Sequence, residues 1–206
     1  MYNLLPYFRV FAVIYNMTEE ELARRCAHGD NEARRELYMT YSSRIRALCL
    51  RYAENAAEAE DMMQDAFIKI FHVIGRFVWT REGSLYSWMA RVALNNAFDS
   101  TRKRKRLVRE IMDVEALTGD VVDEPDYDET ASIPFDVLQA MVEELPEGAR
   151  TIFKLFCIEG LSHKEIATIL GIREKSSSSY LAKARTKLAR VIKKYLEEQS
   201  RILDNS

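Results

Sequence analysis

Residues 161–188, LSHKEIATILGIREKSSSSYLAKARTKL, leave this chain little freedom in how it folds. Ser162 stands three residues before Glu165, the spacing of a capping box, so a helix opens at Ser162, and Ile166, Ile169 and Leu170 give it an apolar stripe. Ala167 is small where two helices must approach closely. Gly171 supplies a residue that leaves a helix with positive φ, and Ile172 packs back onto the pair before a second helix starts near Arg173. That helix carries Arg173, Lys175, Ser176, Ser177, Ser178, Ser179, Tyr180, Lys183 and Arg185. The pattern is a helix-turn-helix, whose second helix enters the major groove with hydroxyls and guanidinium groups toward base edges and phosphates. An ordinary helical hairpin shares the cap and the Gly turn, so DNA recognition needs independent support.

Support comes from the N-terminal half. In Ala56 to Phe77, AAEAEDMMQDAFIKIFHVIGRF, residues Met62, Ala66, Phe67, Ile70, Phe71 and Ile74 recur at helical spacing and predict one amphipathic helix. Its other face carries Glu58, Asp61 and Asp65 with Gln64 alongside, and its last turns carry Lys69 and Arg76, an order that suits the helix dipole. On composition alone a solvated acidic face explains this pattern better, since most charged helix faces are only wet.

After a polar break at Thr80 to Ser84 the chain resumes as SLYSWMARVALNNAFDSTRKRKR, with Leu85, Trp88, Met89, Val92 and Ala93 marking a buried stripe. Asn95, Asp99 and Arg102 share one face at i, i+4 and i+7, with Asn96 and Lys103 next to it. Asn can bond an unpaired base edge while Arg and Lys hold phosphates, so this face suits a single nucleic-acid strand. The run Arg102 to Arg106 exceeds what the helix dipole needs.

On these residues the chain resembles the sigma-70 family of bacterial RNA polymerase sigma factors, in its small extracytoplasmic-function group, from about Thr18 to Leu196 outside the linker. The resemblance implies an all-α fold of two small helical domains joined by a flexible acidic linker: an extension over 1–17, a first domain over 18–106, a linker over 107–134, a helix-turn-helix domain over 135–199 and a tail over 200–206. In the family an acidic helix docks on the clamp helices of the polymerase β′ subunit, which implies that role for Asp61, Gln64, Asp65 and Phe67. The next helix and the loop before it, here Phe77 to Ser84, capture the promoter −10 element as single-stranded DNA, which implies contacts from Asn95, Asn96, Asp99, Arg102 and Lys103. Leu145, Pro146, Arg150, Ile152 and Phe153 match the start of the second domain. That domain reads the −35 duplex, which implies contacts from Arg173, Lys175, Ser176, Ser178, Ser179, Tyr180, Lys183 and Arg185.

The implied partners are core RNA polymerase, through its β′ clamp helices and β flap, promoter DNA, and an anti-sigma factor that holds such proteins inactive. The implied site of action is the cytoplasm. Residues 175–180 depart from the family, which usually has Gly-Thr-Val-Lys-Ser-Arg there. Two cation positions are missing, and Ser177 at a usually apolar position is expected to loosen helix packing. A stand-alone helix-turn-helix regulator is the alternative, although it leaves the acidic helix unexplained.

The formal charge of −2 looks wrong for a DNA binder until its distribution is seen. Asp113, Glu115, Asp120, Asp123, Glu124, Asp126, Asp128 and Glu129 have no balancing cation between residues 110 and 129, so the middle cancels the basic tracts on either side. With Gly119, Pro125 and Pro134 as punctuation this reads as a linker. Its acidity fits mimicry of RNA in the polymerase exit channel, folding back onto the DNA-binding faces, or plain solvation.

Cys26, Cys49 and Cys157 form no Cys-x-x-Cys pair and predict reduced thiols, with packing roles for Cys49 and Cys157. His28, His72 and His163 show no ligand spacing, so no metal or cofactor is expected, and His163 lies near the start of the first DNA-reading helix, where it could touch a phosphate. No nucleophile elbow, phosphate loop or paired-carboxylate motif points to an enzyme or a small-molecule substrate. Residues 1–17 are apolar but too short and interrupted for a membrane span. Met17 precedes Thr18-Glu19-Glu20-Glu21, a capping box, and is the expected translation start.

Overall fold

The computed structural model describes residues 17–99, 107–108, 130 and 133–204, which hold helices and no strand. The chain divides into two compact units, Met1–Ala97 and Phe98–Ser206. The acidic stretch 110–129, the tract Arg102 to Arg106 and residues 1–16 lie outside the described residues.

In the first unit, α1 (Glu19–Ala27) starts at Thr18, whose hydroxyl accepts from the Glu21 N–H at 3.2 Å, while the Glu21 carboxylate pairs with Arg24 at 2.7 Å. Asp30 caps α2 (Asn31–Leu50) by accepting from the Glu32 and Ala33 N–H groups. Those bonds and the Arg25 guanidinium, 2.6 Å away, hold the Asp30 carboxyl below its ordinary pKa. Asn55 caps α3 (Ala56–Val73), which ends in a 3₁₀ turn, Ile74–Arg76.

Ala33, Leu37, Tyr41, Ile45 and Leu48 of α2 meet Ala59, Met63, Ala66, Phe67 and Ile70 of α3, and all are buried. A repeat of three to four residues on each helix aligns these side chains on one face, and each large one contributes about 1.5–3 kcal/mol by leaving water. Met63, not Met62, belongs to this stripe, because Met62 sits a step toward solvent and is half-buried. In α4 (Ser84–Asp99) Leu85, Met89, Ala93 and Leu94 are buried, whereas Trp88 and Val92 are half-buried at the edge of the stripe.

The second unit contains α5 (Phe135–Glu143), α6 (Glu147–Phe153) running into a π turn at Lys154–Ile158, α7 (His163–Leu170) and α8 (Glu174–Asp204). Arg150 donates to the Glu143 backbone carbonyl and Lys154 pairs with the Glu143 carboxylate at 2.6 Å, so two cations close the C-terminus of α5 and fix it to α6. Ile152, Leu155, Ile166, Leu170 and Ala184 fill the core at less than 1% exposure. Cys157 corrects the packing role expected of it: it is exposed in the π turn, and Cys26 and Cys49 are the buried thiols.

Candidate nucleic-acid interface

On α3, Asp61, Gln64 and Asp65 are exposed. Steps of four and three residues place Asp61, Asp65 and Ile68 on one strip, and Ile68 is 59% exposed. Carboxylates with an open isoleucine between turns form a face suited to a protein partner. Phe67 does not belong to it. It is 3% exposed, with its ring 4.7 Å from Tyr38 and 5.9 Å from Phe71, because two residues beyond Asp65 the helix has turned more than half a revolution.

In the loop before α4, Phe77 packs against Trp88 with ring centroids 5.6 Å apart. Gly83, at φ 81°, turns the chain into the helix, where its carbonyl accepts from the Ser87 hydroxyl at 3.1 Å. Between these anchors Val78 and Trp79 are exposed, an apolar and stacking surface that the apolar periodicity did not single out. Asn95 and Asp99 are exposed and Asn96 is half-buried. The Asn95 amide donates to the Arg91 carbonyl at 3.0 Å and so lies along the helix. Arg102 and Lys103 fall outside the described residues.

The helix-turn-helix forms as its local chemistry requires. The Ser162 hydroxyl accepts from the Glu165 N–H while the Glu165 carboxylate accepts from the Ser162 N–H, closing a capping box. Gly171 adopts φ 68°, ψ 37° and donates to the Ala167 carbonyl at 2.8 Å. On α8, Ser177, Tyr180, Leu181, Ala184 and Leu188 are buried.

Tyr180, expected at DNA, is therefore a core side chain at 4% exposure. Ser177, at the position where an apolar side chain is usual, is fully buried, and its Oγ lies 3.0 Å from His163 Nδ1. The His163 ring stacks on Phe156 with centroids 4.6 Å apart. Opposite the buried stripe run Lys175, Ser179, Ala182 and Thr186, at i, i+4, i+7 and i+11. Ser176 and Ser178 are half-buried at its borders, and the Ser178 hydroxyl donates to the Lys175 carbonyl. Arg173 is exposed, Lys183 is half-buried, and the exposed Arg185 guanidinium lies 6.0 Å from the Phe156 ring centroid. Ala182 and Thr186 were visible only through helical period, since neither type announces a DNA contact.

Among the described residues no group of three or more His, Cys, Asp or Glu is arranged to hold a metal ion, and no helix is long and apolar enough to cross a membrane.

Comparison with known proteins matches residues 37–107 to the family model Sigma-70 region 2 and residues 135–188 to Sigma-70, region 4. The RNA polymerase sigma-H factor of Pseudomonas aeruginosa is 28% identical over 188 residues, covering 87% of this chain and 96% of that protein. The ECF RNA polymerase sigma factor SigW of Bacillus subtilis is 34% identical over 152 residues, covering 70% of this chain and 80% of that protein. A solved structure described as CnrH in complex with the cytosolic domain of CnrY is 21% identical with a TM-score of 0.47, covering 84% of this chain and 95% of that one.

Proposed function

The chain belongs to the sigma-70 family of RNA polymerase sigma factors, in its extracytoplasmic-function group, and we propose how its faces divide the work of directing core polymerase to a promoter. The Asp61, Gln64, Asp65 strip with Ile68 docks on the β′ clamp helices, and Phe67 holds that strip in place from the core. The 77–84 loop and the Asn95 face bind unpaired −10 bases. Duplex DNA does not offer those bases, so their capture offsets the cost of melting. The strip from Lys175 to Thr186 reads the −35 duplex, with Arg173, Lys183 and Arg185 toward phosphates. The second unit also meets the β flap. Nucleotidyl transfer remains with core polymerase, the chain supplying no catalytic group, and the complex works in the cytoplasm, where an anti-sigma factor covers these faces until released.

The observation that carries this reading is the order of two family models, region 2 over the acidic helix and region 4 over the helix-turn-helix. Its test is retention of purified core polymerase on the immobilised chain. Retention is expected for the wild type and is expected to fall about tenfold or more with Asp61→Ala and Asp65→Ala together, the scale of losing close charge pairs. No retention by the wild type would favour a stand-alone DNA-binding regulator.

A further inference from the structure

Ser177 is a hydroxyl at a fully buried position of α8, and the side chain that satisfies it comes from the first residue of α7. A serine buried there without a partner would lose its hydration for nothing in return. The 3.0 Å contact with His163 Nδ1 removes that cost in either imidazole tautomer, because a hydroxyl can donate or accept. The imidazole is itself held: it lies on Phe156 at an interplanar angle of 21°, and Phe156 belongs to the π turn Lys154–Ile158. A continuous path thus runs from the π turn through His163 to Ser177, and Ser178 and Ser179 follow at once on the helix surface.

We propose that the His163–Ser177 hydrogen bond is a positioning contact that fixes the rotation of α8 on α7 and so decides which bases the Lys175, Ser179, Ala182 strip can read. The proposal rests on the DNA-reading role assigned above. Apolar contacts such as those of Ala184 and Leu181 are non-directional and tolerate a roll of the helix, whereas a hydrogen bond restricts both distance and angle. A roll of about 10° moves a side-chain head about 5–6 Å from the helix axis by about 1 Å, enough to break a base contact. Reading strip and pin share one rigid helix, so loss of the pin is felt as altered base preference before it is felt as unfolding.

The experiment uses the full chain assembled with core polymerase. Wild-type holoenzyme first selects duplexes from a pool randomised in the upstream window, and discrimination is then measured as the affinity ratio of a selected duplex to a scrambled one. Ser177→Val fills the site without the hydrogen bond, His163→Ala removes the partner, and His163→Asn keeps a polar atom near the place of Nδ1.

The expected result is a loss of discrimination of about tenfold in Ser177→Val and His163→Ala, the scale of one mismatched base pair. His163→Asn restores most of it, while core retention through the first unit and the unfolding midpoint of Ser177→Val stay at wild-type level. Wild-type discrimination in Ser177→Val and His163→Ala would overturn the proposal, as would losses that simply follow the unfolding midpoint. A wild-type holoenzyme that enriches no duplex would instead overturn the promoter reading, and the proposal with it.

Discussion

The Glu19 carboxylate accepts a hydrogen bond from the Leu85 backbone N–H at 3.2 Å, across 66 residues of sequence. Its other oxygen accepts from the Tyr41 hydroxyl at 3.1 Å, so one buried side chain ties α1, α2 and the start of α4 together. The N–H groups of a helix's first turn have no partner within the helix, and a carboxylate there also meets the favourable end of the dipole. The Tyr41 ring lies 6.4 Å from that of Tyr86, under the Arg44 guanidinium at 3.6 Å from the Tyr86 centroid, which extends the tie along α4. Burial and the facing Glu19 carboxylate push the Tyr41 hydroxyl up to about 12.

Removing the Glu19 carboxylate leaves a buried hydroxyl and a buried N–H unpaired. Glu19→Ala is expected to destabilise the first unit by about 1–3 kcal/mol, read by urea denaturation, with Glu19→Gln milder because an amide oxygen still accepts. Equal stability of Glu19→Ala and the wild type would show that α4 is held by apolar packing alone.

Gly171 occupies the left-handed region at φ 68°. An L side chain there costs about 1–2 kcal/mol, and asparagine tolerates it better than alanine. The unfolding midpoint of the second unit is therefore expected to drop with Gly171→Ala and to drop less with Gly171→Asn. The reverse order would mean that a turn of another kind joins the two helices.

Thiol chemistry separates the three cysteines. Burial pushes Cys26 and Cys49 up to about 11, while Cys157 is exposed. At pH 8 an aromatic disulfide reagent is expected to titrate Cys157 rapidly and the other two only after denaturation. Both folded values lie above the unfolded thiol value of about 8.5, so the stability from keeping these thiols neutral is fully present below that pH and is lost as pH rises toward 11. Rapid native reaction at all three would contradict the burial.

On α8 the two kinds of contact predict different signatures. Arg185→Ala is expected to lower affinity for all duplexes and reduce the slope of log affinity against log salt by about 1. Ser179→Ala is expected to leave that slope intact and change base preference. Tyr180→Ala is expected to cost about 3–5 kcal/mol of stability, as for a buried aromatic, and to lose DNA binding only through unfolding. A Tyr180→Ala chain that stays fully folded yet binds DNA poorly would return Tyr180 to the reading face.

What was legible in the sequence was local. The Ser162–Glu165 cap and the Gly171 turn depend on residues within one or two turns of each other, and both appear as their spacing implied. The side of the helix on which a residue falls was harder to see. Phe67 and Tyr180 sit inside motifs whose neighbours are exposed, yet the helical period carries each of them inward. Met62 and Met63 are chemically identical and are separated only by 100° of rotation. Contacts between distant segments left no sequence signal at all. Glu19 stands in a run of three glutamates with nothing to mark it as the buried one, and Ser177 is explained only by a histidine fourteen residues away.

The most direct measurement adds the chain to purified core polymerase on a pool of fragments from the source genome and maps the 5′ ends of the transcripts. A small set of start sites absent with core alone, and lost with Asp61→Ala and Asp65→Ala, is the predicted result. Unchanged initiation, with the chain binding duplex DNA equally well without polymerase, would contradict the account.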